Sequence, residues 1–314
     1  MKLVINIPCY NEEKTLPLVL NELPTHIEGI SSIEIQIVDD GSSDKTVEVA
    51  EKHGCRVLKH DTNKGLGIAF KTGMDAALER GADIFVNTDA DNQYPSKYIP
   101  NLVRPVIDGK ADLVIGNRKP WKVRHFSPIK RFFQYWGNLL TRKIAGSDVP
   151  DTVSGFRAYS REALLKLTIT TKFSYVLDTI VQAGKKDLRI MSVPVTINKP
   201  TRKSRLFKNI FQHMKKSAVN ILRVYALYEP FKTFLVFSAV FALPGLFLLG
   251  RFFYYYLFVA GPTGKVQSLI IATILLVLSG MMFVLGVIAD LIGNNRKLTE
   301  EMMYRQKKEI YKRR

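Results

Sequence analysis

The sequence predicts an α/β fold: a parallel-type sheet with flanking helices, followed by interfacial helices and two transmembrane helices. Three observations carry this expectation. Short apolar runs alternate with amphipathic stretches through residues 1–200. Polar clusters, "PCYNEE", "DDGSSD" and "TDADNQ", directly follow three of those runs. Two long apolar runs occupy residues 231–250 and 266–289.

Strands are expected at residues 3–7, 33–38, 56–59, 83–87, 112–115 and 190–195, with helices at 15–23, 44–53, 67–80 and 97–106. The stretch "SSDKTVEVAEKHG" opens with capping residues and closes on Gly54, and Gly81 closes the next helix. Strands alternating with helices imply a parallel, helix-covered sheet. Ligands of such sheets sit outside the carboxyl ends of the strands, so the three polar clusters face one crevice.

The run at 266–289 carries no charge and the run at 231–250 only Lys232. A bilayer core of about 30 Å needs roughly 20 helical residues, so each run is long enough to cross it. The turn "AGPTGK" joins them. Lys199, Arg202, Lys203 and Arg205 are among the cations before the first span, and Arg305, Lys307 and Lys308 among those after the second. The turn offers only Lys265, so both flanks are expected to be cytoplasmic. This divides the chain into a catalytic domain at 1–200, a juxtamembrane amphipathic helix at 201–230, a two-helix transmembrane domain at 231–293 and a basic cytoplasmic tail at 294–314.

The 314 residues include 46 Lys and Arg against 28 Asp and Glu, a formal charge of +18. The basic residues crowd beside the spans and no recognition motif accompanies them. Attachment to an anionic membrane surface is therefore expected, and not nucleic-acid binding. Met1 and Lys2 lead straight into a short strand, with no cleavable signal expected. Cys9 and Cys55 are the only cysteines and read as free thiols.

In "VNTDADNQYP", Asp89 and Asp91 stand at i and i+2, so in an extended segment they point the same way. Two hard oxygen ligands with open positions suit Mg²⁺ or Mn²⁺, and Gln93 could add a third ligand. A solvated acidic turn is the alternative for an isolated Asp-x-Asp. In "IVDDGSSD", Asp39 or Asp40 could accept hydrogen bonds from ribose hydroxyls or a base edge, while Gly41 and the serines could form only a turn and a cap. Both readings can hold together.

The segments "IPCYNEEKTL", "IVDDGSSDKT", "NKGLGIAFKTG", "NTDADNQYP", "IGNRK" and "DTVSGFRAYSREAL" together resemble, in order and spacing, family 2 glycosyltransferases of the GT-A fold, the nucleotide-diphospho-sugar transferase fold. Within it they are most similar to the branch making polyprenyl-phosphate sugars, the dolichyl-phosphate mannose and glucose synthases. The resemblance covers about residues 3–205 and extends to the paired carboxyl-terminal spans. It implies that Pro8, Tyr10, Glu12 and Asp39 bind nucleotide, with Asp40 adjacent and Asn63, Gly65 and Gly67 in the glycine-rich segment beside it. It further implies that Asp89, Asp91 and Gln93 hold metal and diphosphate, and that Arg118 contacts donor phosphate.

On the acceptor side, a lipid phosphate is largely ionised near neutral pH because its second pKa is about 6, so cations that position it matter more than a base. Lys130, Arg131, Arg202 and Arg205 lie on segments expected to meet the membrane, where attraction to lipid head groups is the alternative role. The match departs from related synthases here, since an arginine and a serine four apart become Lys130 with Gln134, or Arg131 with Tyr135. Asp151 either orients or deprotonates an acceptor or caps the following turn. Arg157 either binds phosphate or ties its loop to the sheet. "SPIKRFFQYWGNLLTRKIAG" and "RLFKNIFQHMKKSAVNILRVYALYEP" suit helices lying at the interface.

The resulting expectation is a metal-dependent enzyme that moves one sugar, with inversion, from GDP-mannose or UDP-glucose to polyprenyl phosphate at the cytoplasmic membrane face. The alternatives are transfer to a glycolipid hydroxyl, with Asp151 as base, and a non-catalytic membrane scaffold or transport subunit. A processive polysaccharide synthase is disfavoured, because neither Trp121 nor Trp136 ends a Gln-x-x-Arg-Trp motif. Oligomeric state stays open, a homo-oligomer included.

Overall fold

A computed structural model of the chain describes residues 1–119, 137–139, 141–143, 145–169, 175–198, 219, 223, 225–259 and 266–312. It divides into two units, Met1–Ile221 with Glu300–Arg314, and Leu222–Thr299.

The first unit is built on a seven-stranded sheet. In chain order the described elements are β1 (Lys2–Cys9), α1 (Leu16–Asn21), β2 (Ser32–Asp39), α2 (Thr46–Lys52), β3 (Arg56–Lys59), α3 (Leu66–Glu79), β4 (Ile84–Asn87), α4 (Ile99–Ile107), β5 (Leu113–Asn117), β6 (Arg157–Ser160), α5 (Arg161–Lys166), α6 (Tyr175–Lys185) and β7 (Ile190–Pro194). The strands lie in the order β3-β2-β1-β4-β6-β5-β7. β6 runs antiparallel to β4 and β5, and the remaining pairs are parallel. The sheet is thus mixed, with one strand that the sequence pattern does not announce. Central strands covered on both faces must be apolar throughout, and the interior of β1 and all of β4 are accordingly buried.

Four buried polar side chains, one each from β2, β1, β4 and β6, are lined up by the register. Asn6 pairs with Gln36 on one side and Asn87 on the other, and Asn87 pairs with Arg157. All four are wholly buried. Gln36 Nε2 donates to Asn6 Oδ1 at 2.8 Å and to the Gly73 carbonyl of α3 at 2.7 Å, and Asn6 Nδ2 donates to Asn87 Oδ1 at 2.8 Å. Glycine at 73 is what lets α3 approach so closely, since a Cβ there would stand 2.1 Å from Asn6 Oδ1. Gly73→Ala is therefore expected to break the row and destabilise the unit by about 1–3 kcal/mol. Thermal unfolding of the full chain in detergent checks this, and an unchanged Tm would show that the helix simply moves aside.

Residues 300–311 also belong to this unit. Lys186 Nζ lies 2.8 Å from Glu300 Oε2, Tyr304 Oη donates to Glu162 Oε1 at 2.9 Å, and Lys307 Nζ donates to the Leu167 carbonyl at 2.8 Å. Where the sequence suggested a tail from residue 294, the chain stays helical to Ile310.

The second unit contains α7 (Pro230–Phe258, 29 residues) and most of α8 (Val266–Ile310, 45 residues). Both are long and apolar enough to cross a membrane. They meet through small residues: Ser238 Oγ and Ser279 Oγ are 2.9 Å apart, and Gly286 faces Phe234 with no room for a Cβ. Their large apolar side chains, Leu243, Phe247 and Leu291 among them, are exposed. The Arg296 guanidinium sits 4.0 Å over the Tyr228 ring. The turn at 260–265 and most of the expected amphipathic helix at 201–230 lie outside the described residues.

Candidate active site

Parallel strands deliver their carboxyl ends to one edge of a sheet. The segments after β1, β2, β4 and β5 therefore come together, bringing Tyr10 and Glu12, Asp39 and Asp40, Asp89 to Gln93, and Arg118 to that edge. Because β6 is antiparallel, the 151–156 segment that precedes it arrives at the same place.

The loops after β1 and β2 are stitched to each other. Asn11, with φ of 55°, donates its N–H to Ser42 Oγ at 2.8 Å and accepts from the Ser43 N–H at 2.8 Å. The Glu12 N–H donates to Thr46 Oγ1 at 2.8 Å, and Glu12 Oε2 accepts from Thr15 Oγ1 at 2.7 Å. Pro8 is half-buried within β1, while Tyr10 leaves 42% of its surface open. Asp39 ends β2 with its carboxylate 3.2–3.3 Å from the Ser42 N–H.

Asp40, expected beside the nucleotide, is engaged by the turn that follows β3. Its Oδ1 accepts from the Lys64 N–H at 2.9 Å and lies 2.7 Å from His60 Nδ1, and its Oδ2 accepts from the Gly65 N–H at 2.9 Å. His60 Nε2 in turn lies 3.0 Å from Thr72 Oγ1 of α3. A Cβ on Gly41 would come within 2.8 Å of the Thr62 carbonyl carbon, so the two turns touch backbone to backbone. Asp40 is thus a clamp on the glycine-rich turn, and it takes up the Gly65 N–H. Asn63 is exposed, and Gly67 is buried in the first turn of α3.

Beyond β4, Asp91 Oδ1 accepts from the Gln93 N–H at 3.0 Å across Asn92, whose φ of 56° is left-handed. The Gln93 carbonyl accepts from the Asn198 N–H at 2.9 Å, and Asn198 Nδ2 donates to the Asn92 carbonyl at 3.0 Å. Asp89, Asp91 and Gln93 are half-buried, and the Asn92 Oδ1 atom is buried without a hydrogen-bond partner. Among the described residues no three His, Cys, Asp or Glu side chains converge as a metal cage. Two hard carboxylates fit Mg²⁺ or Mn²⁺, ions that keep several waters and take the rest of their shell from phosphate.

Arg118 grips Asp151 as a fork: its N–H donates at 3.1 Å and Nε at 2.7 Å to Oδ2, and Nη2 donates at 2.9 Å to Oδ1. Asp151 is wholly buried. Burial opposes the guanidinium charge, but the Tyr94, Asp151 and Asp89 oxygens outweigh it and raise the Arg118 pKa, so the cation persists. Tyr94 is buried and stacks on Phe156 with centroids 5.2 Å apart. Asp151, expected to act on an acceptor or cap a turn, has both oxygens engaged in holding Arg118.

Arg157, expected at an acceptor phosphate, is wholly buried. Its guanidinium donates to the Thr152, Ser154 and Val176 carbonyls and to Thr179 Oγ1 at 2.7–2.9 Å. Those bonds tie its loop to the sheet and α6, the second of the two roles expected of it. Lys130, Arg131, Arg202 and Arg205 lie outside the described residues.

Sequence reasoning missed Asn6, Gln36, Asn87 and Tyr175, which underlie the site. The signal was one amide in each of "LVINIP", "IEIQIV" and "IFVN", at positions that the register brings together.

A family model described as Glycosyl transferase family 2 matches residues 4–168. The chain is 30% identical over 207 residues to the undecaprenyl-phosphate mannosyltransferase of Micrococcus luteus, covering 62% of this chain and 83% of that one. It is 31% identical over 211 residues to the UDP-N-acetylglucosamine--dolichyl-phosphate N-acetylglucosaminyltransferase of Methanococcus voltae, covering 60% and 82%. A crystal structure of glucosyl-3-phosphoglycerate synthase from Mycobacterium tuberculosis, in complex with Mn²⁺, UDP and glucosyl-3-phosphoglycerate, aligns with a TM-score of 0.55 at 21% identity, over 72% of this chain and 79% of that one. That likeness is one of fold.

Proposed function

The chain belongs to glycosyl transferase family 2, and from that premise we propose that this glycosyltransferase moves a single sugar from a nucleotide diphosphate donor to polyprenyl phosphate at the cytoplasmic face of a membrane. The observation that carries the reading is the pairing, at one sheet edge, of the Asp89 and Asp91 carboxylates with a guanidinium that Asp89 and Asp151 help keep charged. A diphosphate and its divalent ion call for both signs of charge. Asp89 and Asp91 would hold Mg²⁺ or Mn²⁺, which when bound supplies charge neutralisation of the leaving diphosphate. Arg118 would meet a phosphate oxygen, and Pro8, Tyr10, Glu12 and Asp39 the nucleoside.

The acceptor assignment draws support from the relatives' printed names, which specify undecaprenyl phosphate and dolichyl phosphate, and from two helices suited to a bilayer. It also fits the engaged state of Asp151. A phosphate oxygen is already ionised near neutral pH and attacks without a base, whereas a sugar hydroxyl needs one. Attack from the face opposite the diphosphate inverts the anomeric centre. GDP-mannose and UDP-glucose are the proposed donors. Residues 1–200 are proposed as the catalytic domain, and the cations flanking 231–293 support a cytoplasmic side for it through the positive-inside rule.

The test incubates full-length protein in detergent with Mn²⁺ or Mg²⁺, a panel of nucleotide sugars, and either polyprenyl phosphate or a glycolipid bearing only hydroxyl acceptors. The expected product is polyprenyl phosphate heavier by one sugar, lost on adding EDTA. Transfer confined to the hydroxyl lipid would overturn the acceptor assignment.

A further inference from the structure

Tyr175 lies wholly buried at the start of α6, its ring stacked on Phe70 with centroids 3.9 Å apart and planes within 2°. Its hydroxyl accepts from Asn87 Nδ2 at 2.7 Å and donates to the Gly155 carbonyl at 3.1 Å. Asn87 is itself fixed by Asn6, at the end of the amide row that begins at Gln36. Gly155 borders Asp89 directly: a Cβ there would stand 3.4 Å from each Asp89 carboxylate oxygen and 3.1 Å from Tyr175 Oη. The phenol and the carboxylate therefore flank one bare Cα. Burial first, and then the Asp89 charge, push the phenol's pKa well above its ordinary value, so it remains a donor.

We propose that Tyr175 is a positioning residue for Asp89: by pinning the Gly155 carbonyl against the Asn87 amide, it fixes the wall that confines the Asp89 carboxylate. The inference rests on the reading of Asp89 and Asp91 as the metal-diphosphate site. Its logic is that of any ligand held from behind. Without the phenol oxygen, the Gly155 carbonyl loses the shorter of its two hydrogen bonds, and Asn87 Nδ2 is left with that carbonyl alone, at 3.5 Å. The segment 151–156 then gains freedom beside the carboxylate, and preorganisation for the ion is lost. Loss of such outer partners lowers metal affinity by about 10–100-fold. The phenylalanine ring of Tyr175→Phe keeps the stack on Phe70, so the oxygen alone is tested.

The experiment titrates Mn²⁺ into the full chain in detergent with UDP, and in parallel with GDP, following the paramagnetic resonance signal of the free ion. Wild type should take up Mn²⁺ and Asp89→Ala should not. Tyr175→Phe should bind Mn²⁺ about tenfold more weakly, with nucleotide binding in EDTA unchanged and the melting temperature only modestly lowered by the lost hydrogen bonds. Should Tyr175→Phe fail to fold, Gly155→Ala serves instead, because its methyl presses on the phenol oxygen and fills the gap beside the carboxylate; it too should weaken Mn²⁺ uptake. Wild-type uptake in the Tyr175 and Gly155 variants, with uptake lost in Asp89→Ala, would overturn the positioning role and leave the site reading intact. A Tyr175→Phe variant that loses stability and nucleotide binding in step with Mn²⁺ would overturn it as well, by making the effect one of folding. Wild-type uptake by Asp89→Ala, or none by the wild type, would instead overturn the site reading itself.

Discussion

Asp91→Asn is expected to cut sugar transfer to any acceptor by about a thousandfold while leaving the fold intact. The substitution is chosen because the Asp91 side chain has two jobs that it separates. One oxygen accepts from the Gln93 N–H and shapes the left-handed turn at Asn92; an asparagine oxygen accepts the same bond. The negative charge, the other job, disappears. Charge stabilisation of a transferring group at a metal site is worth several kcal/mol, and each 1.4 kcal/mol is about tenfold in rate. Initial rates with labelled donor, beside a thermal melt, measure both quantities. Activity within about tenfold of wild type, on an unchanged melt, would remove Asp91 from the chemistry and return the motif to a solvated acidic turn.

Asp151→Ala should be the most destabilising single change at the site. It leaves the Arg118 guanidinium, 11% exposed, without the carboxylate that accepts two hydrogen bonds from it and a third from the Arg118 backbone N–H. Breaking a buried pair from one side typically costs about 3–5 kcal/mol, whereas replacing both members by apolar residues is often close to neutral. The variant should therefore unfold at lower denaturant concentration, and Arg118→Met combined with Asp151→Leu should recover most of that loss without recovering activity. Asp151→Asn, milder in stability, discriminates the chemistry. If Asp151 only holds Arg118, the donor KM should rise along with the loss of turnover. If Asp151 is a base toward a hydroxyl acceptor, turnover should vanish with the donor KM unchanged.

The strands of the parallel part of the sheet were legible because burial on both faces leaves continuous apolar runs. Strand β6 was not, for the same reason inverted. Its four residues, "RAYS", begin with an arginine whose donors are satisfied by carbonyls drawn from 152, 154 and 176, partners that no local pattern reveals. The helical seam beyond residue 294 was obscured by its charge. Glu300, Tyr304 and Lys307 recur at spacings of four and three, the period of one helix face, yet each is polar enough to read as a solvated tail. At the site, the position of each motif after a strand was legible. The division of labour within motifs was not. Asp39 and Asp40 look alike in sequence, and only the fold brings His60, Lys64 and Gly65 to the second of them. Arg118 and Asp151 lie 33 residues apart, so their pairing could not be read along the chain.

The buried amide row across β2, β1 and β4 also bears on how the chain assembles. Apolar strands are nearly interchangeable as sheet neighbours, and a parallel arrangement with long crossovers gives a nascent chain ample opportunity for wrong pairings. Gln36, Asn6 and Asn87 bond to one another only in the native order and alignment. A shift by one residue turns every side chain to the opposite face, and each amide then left inside without a partner costs about 1–3 kcal/mol. The row therefore acts as a checksum on strand order, rejecting misassembled sheets that hydrophobic burial alone would tolerate.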